Sequence, residues 1–93
     1  MALIRKVRGH EPSVGENTFL AETAVLLGDV TVGRDCSIWY NAVLRGDVNK
    51  IVIGDRTNIQ DGAVLHTLYD GSKHPSQTII GNDVSVGHNA VVH

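Results

Sequence analysis

Three imidazole side chains, His66, His88 and His93, fall in the last third of this chain. Neutral imidazole is the commonest protein ligand for transition metals. Three of them around zinc, with a fourth position left for water, make the donor set of a catalytic metal site. His10 and His74 have no such company and read as ordinary surface histidines. Whether the three can meet depends on the elements that carry them.

Those elements are written in a repeat of six. Val14, Leu20, Leu26, Val32, Ile38 and Leu44 recur every six residues. The residue two places before the leader is small or β-branched in most units: Thr18, Ala24, Val30, Cys36, Ala42. The pattern resumes at Ile53, Ile59 and Leu65, and again at Ile80, Val86 and Val92, which gives twelve units. Alternation in short apolar runs is strand periodicity, not helical. Glycines such as Gly28, Gly33, Gly54 and Gly62 gather near the expected turns, where a positive φ is cheap only for glycine. Asn and Asp crowd the same places. A hexapeptide repeat is the mark of a parallel β-helix, in which three units complete a coil and twelve predict about four. A β-sandwich would space its strands more widely and less evenly.

Counting by sixes then assigns faces. Three units lead from Leu65 to Val92 if residues 68–77 form a loop, as the Tyr69-Asp70-Gly71-Ser72 composition suggests. His66 and His93, each just after its leader, stack one above the other. Arg45 belongs to the same column one coil below, and Trp39, Gln60 and Gly87 form a second column. His88 follows Val86 by two and lies beyond a corner, so a single chain does not bring it to the pair. A second copy would, and a head-to-tail contact of that kind closes most simply as a ring of three.

With 93 residues there is room for one domain. It is expected as an N-terminal extension over 1–13 and an all-β repeat domain over 14–93. Aromatic residues make up 4% of the chain, as a narrow prism filled by Val, Ile, Leu and Ala requires. A net charge of −2 and a pI near 6.2 give no reason to expect nucleic acid or an anionic membrane as partner. The basic stretch Arg5, Lys6, Arg8 is short, and no apolar run approaches membrane-spanning length. Cys36, the one cysteine, falls on an inward position and reads as packing. The expected location is the cytoplasm.

Four runs carry a resemblance: Ala42-Val43-Leu44-Arg45-Gly46-Asp47, Thr57-Asn58-Ile59-Gln60-Asp61-Gly62, Val64-Leu65-His66, and Val86-Gly87-His88-Asn89-Ala90-Val91-Val92-His93. Together they resemble the gamma-class carbonic anhydrases and their bacterial homologues. That resemblance implies a left-handed parallel β-helix, a homotrimer, and a metal at each subunit interface: Zn2+, with Fe2+ or Co2+ as options. It implies hydration of CO2 to bicarbonate, with His66 and His93 binding the metal from one subunit and His88 from its neighbour. Gln60 would bond the water or bicarbonate. Arg45, Asp47 and Asp61 would form an ion-pair cluster across the seam, and Asn58 would support a turn near the site.

The chain departs from the family pattern twice. Val48 follows Asp47 where the best-studied members carry a glutamate, and residues 68–77 contain none. Asp70 or His74 would have to move the proton instead, so weak or residual activity is expected. The chain also stops at His93 without the further coils and C-terminal helix of longer members, which suggests a fragment. Two other functions share the scaffold: acyl transfer with coenzyme A, and a non-catalytic, metal-stabilised trimeric interaction module.

Overall fold

In the computed structural model, which describes residues 1–68 and 76–93, every element is a β-strand. The strands are β1 Leu3–Arg5, β2 Ser13–Val14, β3 Phe19–Leu20, β4 Val25–Val32, β5 Ser37–Ile38 and β6 Val43–Ile53. They continue as β7 Asn58–Ile59, β8 Val64–His66, β9 Thr78–Ile80, β10 Ser85–Val86 and β11 Val91–Val92. All strand-to-strand pairing is parallel. Pairs form between residues about one coil apart in sequence, as Leu26 with Leu44 and Leu44 with Leu65. This is a parallel β-helix, and among the described residues no helix is long and apolar enough to cross a membrane.

Three faces result. The first stacks β1, β4, β6, β8 and β11; the third stacks β3, β5, β7 and β10. The second is built from β2, the far ends of β4 and β6, and β9. β4 and β6 serve two faces because each bends without a break around the corner between them, where the register shifts between Gly28 and Val30. The three extra residues after Leu44 are absorbed there. The solenoid makes about three turns from rung to rung, slightly fewer than the four coils expected. The N-terminal extension is not separate from the prism, since Leu3–Arg5 adds a rung to the first face.

The repeat's leaders fill the interior. Leu26, Leu44 and Leu65 on the first face, with Ile38 and Ile59 on the third, are 0% exposed. Their small inward partners Ala24, Ala42 and Ala63 are equally buried, because two inward side chains per unit must share a narrow section. Leaders at the ends of the stack (Val14, Leu20, Ile80, Val92) are only partly covered, as end rungs lack a neighbour on one side. Cys36 is buried, as expected, with its Sγ 3.0 Å from the Gly54 carbonyl oxygen.

Gly28 and Gly62 adopt positive φ as expected, whereas Gly33 and Gly54 have a different cause. The left-handed turn positions are held mainly by Asn17, Asp35, Asn41, Arg56, Asp83 and Asn89. Gly15, Gly33 and Gly54 have ordinary φ values and stack in a column where successive coils nearly touch. A Cβ on Gly15 would sit 2.7 Å from the Gly33 carbonyl carbon, and one on Gly54 would sit 2.6 Å from that of Gly81. Next to this ridge Arg56 clamps Asp83 of the following coil through its Nε at 2.8 Å, and that hydrogen bond holds the Asp83 carboxyl below the usual carboxylate range.

Candidate metal centre

The β8–β11 pairing sets Val92 over Leu65, so the next residue of each strand, His93 and His66, must stack. Their rings lie 5.0 Å apart, centroid to centroid, and within 4° of parallel. Arg45 sits beneath His66 in the same column, paired with it in register. The backbone under His66 is fixed from the second face, where Thr78 Oγ1 donates to its carbonyl oxygen at 3.1 Å. Buried Thr67 follows, its Oγ1 accepting from the Asn49 N–H at 2.9 Å.

Polar atoms around this pair are left without partners. His66 Nε2 and Asp47 Oδ1 are both buried and neither makes a hydrogen bond. They stand 3.9 Å apart, too far to satisfy one another. Leaving such groups unpaired costs about 1–3 kcal/mol each. The other Asp47 oxygen accepts from Arg45 Nη2 at 2.9 Å. Burial acts to raise the Asp47 carboxyl, but the Arg45 hydrogen bond, its own backbone N–H and the nearby positive charge outweigh it and hold the group below its ordinary value. An ionised oxygen and an unpartnered imidazole nitrogen facing the same space suit a cation. The residues present therefore fit a metal ion.

His88 stands elsewhere. With Trp39, Asn58, Gln60 and Asp61 it lines an open recess at the corner where the third face leads into the first. The column of Trp39, Gln60 and Gly87 is as counted: Trp39 N–H donates to the Ile59 carbonyl and Gln60 N–H to that of Val86. Asp61 Oδ1 lies 3.7 Å from His88 Nδ1, one coil apart in the same turn. That turn closes tightly because Gly62 adopts φ +75°, with the Asn89 carboxamide oxygen occupying the space a Cβ would need. Trp39 is held by a bond from Nε1 to Ser37 Oγ at 3.0 Å and by the Phe19 ring 5.0 Å away.

The two groups occupy opposite edges of the first face. Among the described residues no set of three or more His, Cys, Asp or Glu in one chain could hold a metal. Within one protomer Asp61 belongs to the His88 corner, apart from Arg45 and Asp47; the cluster expected of the three is one across the subunit seam. One sequence expectation needs correcting on this geometry. Asn58 supports no turn; it stands in β7 with its Oδ1 buried and unpartnered toward the recess. Sequence reasoning placed Trp39 in its column without seeing it as a wall of the recess. The signal was available, since a residue just after a leader must face outward. Asp70 and His74, the substitutes for a proton carrier, lie outside the described residues.

Comparison with known proteins agrees with this architecture. The family described as bacterial transferase hexapeptide (six repeats) matches residues 11–46. Gamma carbonic anhydrase 1, mitochondrial, of Arabidopsis thaliana is 48% identical over 85 residues, covering 88% of this chain and 30% of that protein. A carbonic anhydrase of Geobacillus kaustophilus is 39% identical over 92 residues, covering 98% of this chain and 47% of the relative. The crystal structure of a hexapeptide transferase family protein from Anaplasma phagocytophilum superposes with a TM-score of 0.85 at 43% identity, over 96% of this chain and 49% of that one. The chain thus spans from 30% to 50% of the length of the curated relatives it matches. Identity at this level over nearly all of the 93 residues, on a shared β-helix, makes the chain a hexapeptide-repeat homologue of the gamma carbonic anhydrases.

Proposed function

We propose that this chain hydrates CO2 to bicarbonate, at weak or residual rate, at a metal centre shared between protomers of a homotrimer. His66 and His93 would come from one protomer and His88 from the next. The observation that carries this reading is the pair of parallel imidazoles with an unpartnered, buried His66 Nε2 at its base. A Zn2+, Fe2+ or Co2+ ion held there would act as a Lewis acid that brings the pKa of water from 15.7 to about 7.

The chain's own groups do the rest. Asp61 Oδ1, 3.7 Å from His88 Nδ1 and so beyond hydrogen-bonding distance, places a negative charge that favours the His88 tautomer with its proton on Nδ1, leaving Nε2 as the ligand. Thr78 fixes the His66 backbone, and the His93 ring stacks on the His66 ring. Gln60 and Asn58 offer side-chain amides to the oxygens of CO2 and bicarbonate, while Trp39 forms an apolar wall against water. Arg45 and Asp47 are positioning residues, a fixed ion pair that keeps one carboxylate oxygen turned to the pair of rings. A cytoplasmic setting is part of this reading, since the thiol of Cys36 is free and buried.

The test is metal content together with stopped-flow CO2 hydration. The protein should bind about one ion per protomer in an open, water-accessible site, and His88→Ala should lose both metal and activity. Metal-free protein from a zinc-replete medium would refute the reading. A second function, acyl transfer with coenzyme A, is favoured by the name of the Anaplasma phagocytophilum structure. Tight coenzyme A binding by calorimetry would support it. A closed shell of four protein ligands would point to a non-catalytic, metal-stabilised module instead.

A further inference from the structure

His66 is the last paired residue of β8. The ladder from β6 to the coil above stops at Arg45 with His66 and starts again only at Ile51 with Thr78. Among the described residues, residues 46–50 of β6 therefore have no strand partner in that coil. The coil below shows what is missing. There Leu27 pairs with Arg45 and Gly28 with Gly46, so the same corner is laddered as far as its bulge. The cause lies in the sequence, where fifteen residues lead from Leu65 to Ile80 in place of six. A strand end is where a backbone opens first, and this one ends on a candidate metal ligand. Asp47, whose Oδ1 faces His66 Nε2 at 3.9 Å, lies inside the same gap.

Two buried hydroxyls span the gap. Thr67 Oγ1 accepts from the Asn49 N–H at 2.9 Å and donates to the Asn49 carbonyl oxygen at 3.2 Å. Asn49 Oδ1 in turn accepts from the Lys50 N–H at 2.8 Å, so the unpaired stretch of β6 is tied near its end. From the far side of the insertion, buried Thr78 Oγ1 donates to the His66 carbonyl oxygen at 3.1 Å. These side-chain bonds stand where a continuous strand would have carried backbone rungs. We propose that Thr67 and Thr78 are positioning residues of the metal centre. Their hydroxyls hold the His66 and Asp47 backbones in register across a broken ladder, and so set the affinity for the ion. That effect on the ion rests on the shared-centre reading, in which His66 is a ligand.

Zinc affinity of the full chain, read by competition with a chelating dye, tests this beside the thermal midpoint of the metal-free protein. Thr67→Val and Thr78→Val keep the side-chain shape and remove the hydroxyl. Each should weaken zinc binding by about 10-fold or more. Thr67→Ser and Thr78→Ser retain the hydroxyl and should keep wild-type affinity, even where loss of the methyl group lowers the midpoint. Thr18→Val is the control: Thr18 Oγ1 also bonds between coils, to the Gly33 carbonyl oxygen at 2.8 Å, but at the corner between the second and third faces. It should lower the midpoint and leave the affinity unchanged. Serine variants as weak as the valine ones would overturn the proposal. Hydrogen exchange on the unsubstituted, metal-free chain needs no variant to fold. The Asn49 amide should be protected, and exchange at the rate of an exposed amide would overturn the proposal equally. A wild-type chain that takes up no zinc would remove the shared centre and this role together. A chain that binds zinc, and whose valine variants bind it as tightly, would remove this role alone.

Discussion

His88 differs from His66 and His93 in what surrounds it. The stacked pair is held by register and by the Thr78 bond, whereas His88 is exposed at a turn and its polar neighbour is Asp61. A ligand that is not packed depends on the charged group beside it for orientation and tautomer. Asp61→Asn keeps the size of the side chain and removes its charge. It should weaken metal affinity by about 10–100-fold, measured by competition with a chelating dye. It should leave the thermal unfolding midpoint of the metal-free protein unchanged, because Asp61 makes no buried contact. Unaltered affinity would show that His88 needs no orienting carboxylate. The histidines and Gln60 could be found by counting, since each sits one or two places from a leader. The roles of Asp61 and Asn58 could not, because they depend on which way a turn residue and an outward strand residue point.

Strands and turns reveal where counting succeeds and where it fails. Leaders at Leu26, Leu44 and Leu65 are fully buried because a period of six and a prism of three faces leave one interior position no alternative. Gly28 and Gly62 turn with positive φ as counted, but at Gly33 and Gly54 the reason for glycine is steric rather than conformational. Gly54 has room for its own backbone and for nothing more, with the next coil's backbone 2.6 Å from where a Cβ would stand. Gly54→Ala must therefore displace the Asn82 carboxamide and also separate two coils by several tenths of an ångström, because the Gly81 carbonyl behind it is backbone. The expected loss is about 1–3 kcal/mol in urea unfolding, of the kind overpacking produces. Gly81→Ala, with open space around its Cβ, should cost far less. Equal effects at the two positions would mean that contact between coils does not select glycine on this ridge.

A single chain is a prism with the stacked His66–His93 pair at one edge of its first face and His88 at the other. The sequence contains the repeat, the stacking of His66 on His93 and the displacement of His88, since all three follow from one period. Coil number came out slightly high because twelve units count the open-ended first and last rungs as complete coils. Periodicity carries no handedness. The central claim is that the third imidazole comes from another copy. Unfolding His66→Ala and His88→Ala chains together and refolding the mixture tests it directly. Neither variant alone should bind zinc. Every mixed ring of three contains one junction with an intact set of histidines, so random mixing should restore about a quarter of the wild-type zinc content. Co-refolded protein with no more zinc than the separate variants, or a His88→Ala protein that binds zinc on its own, would contradict the shared site.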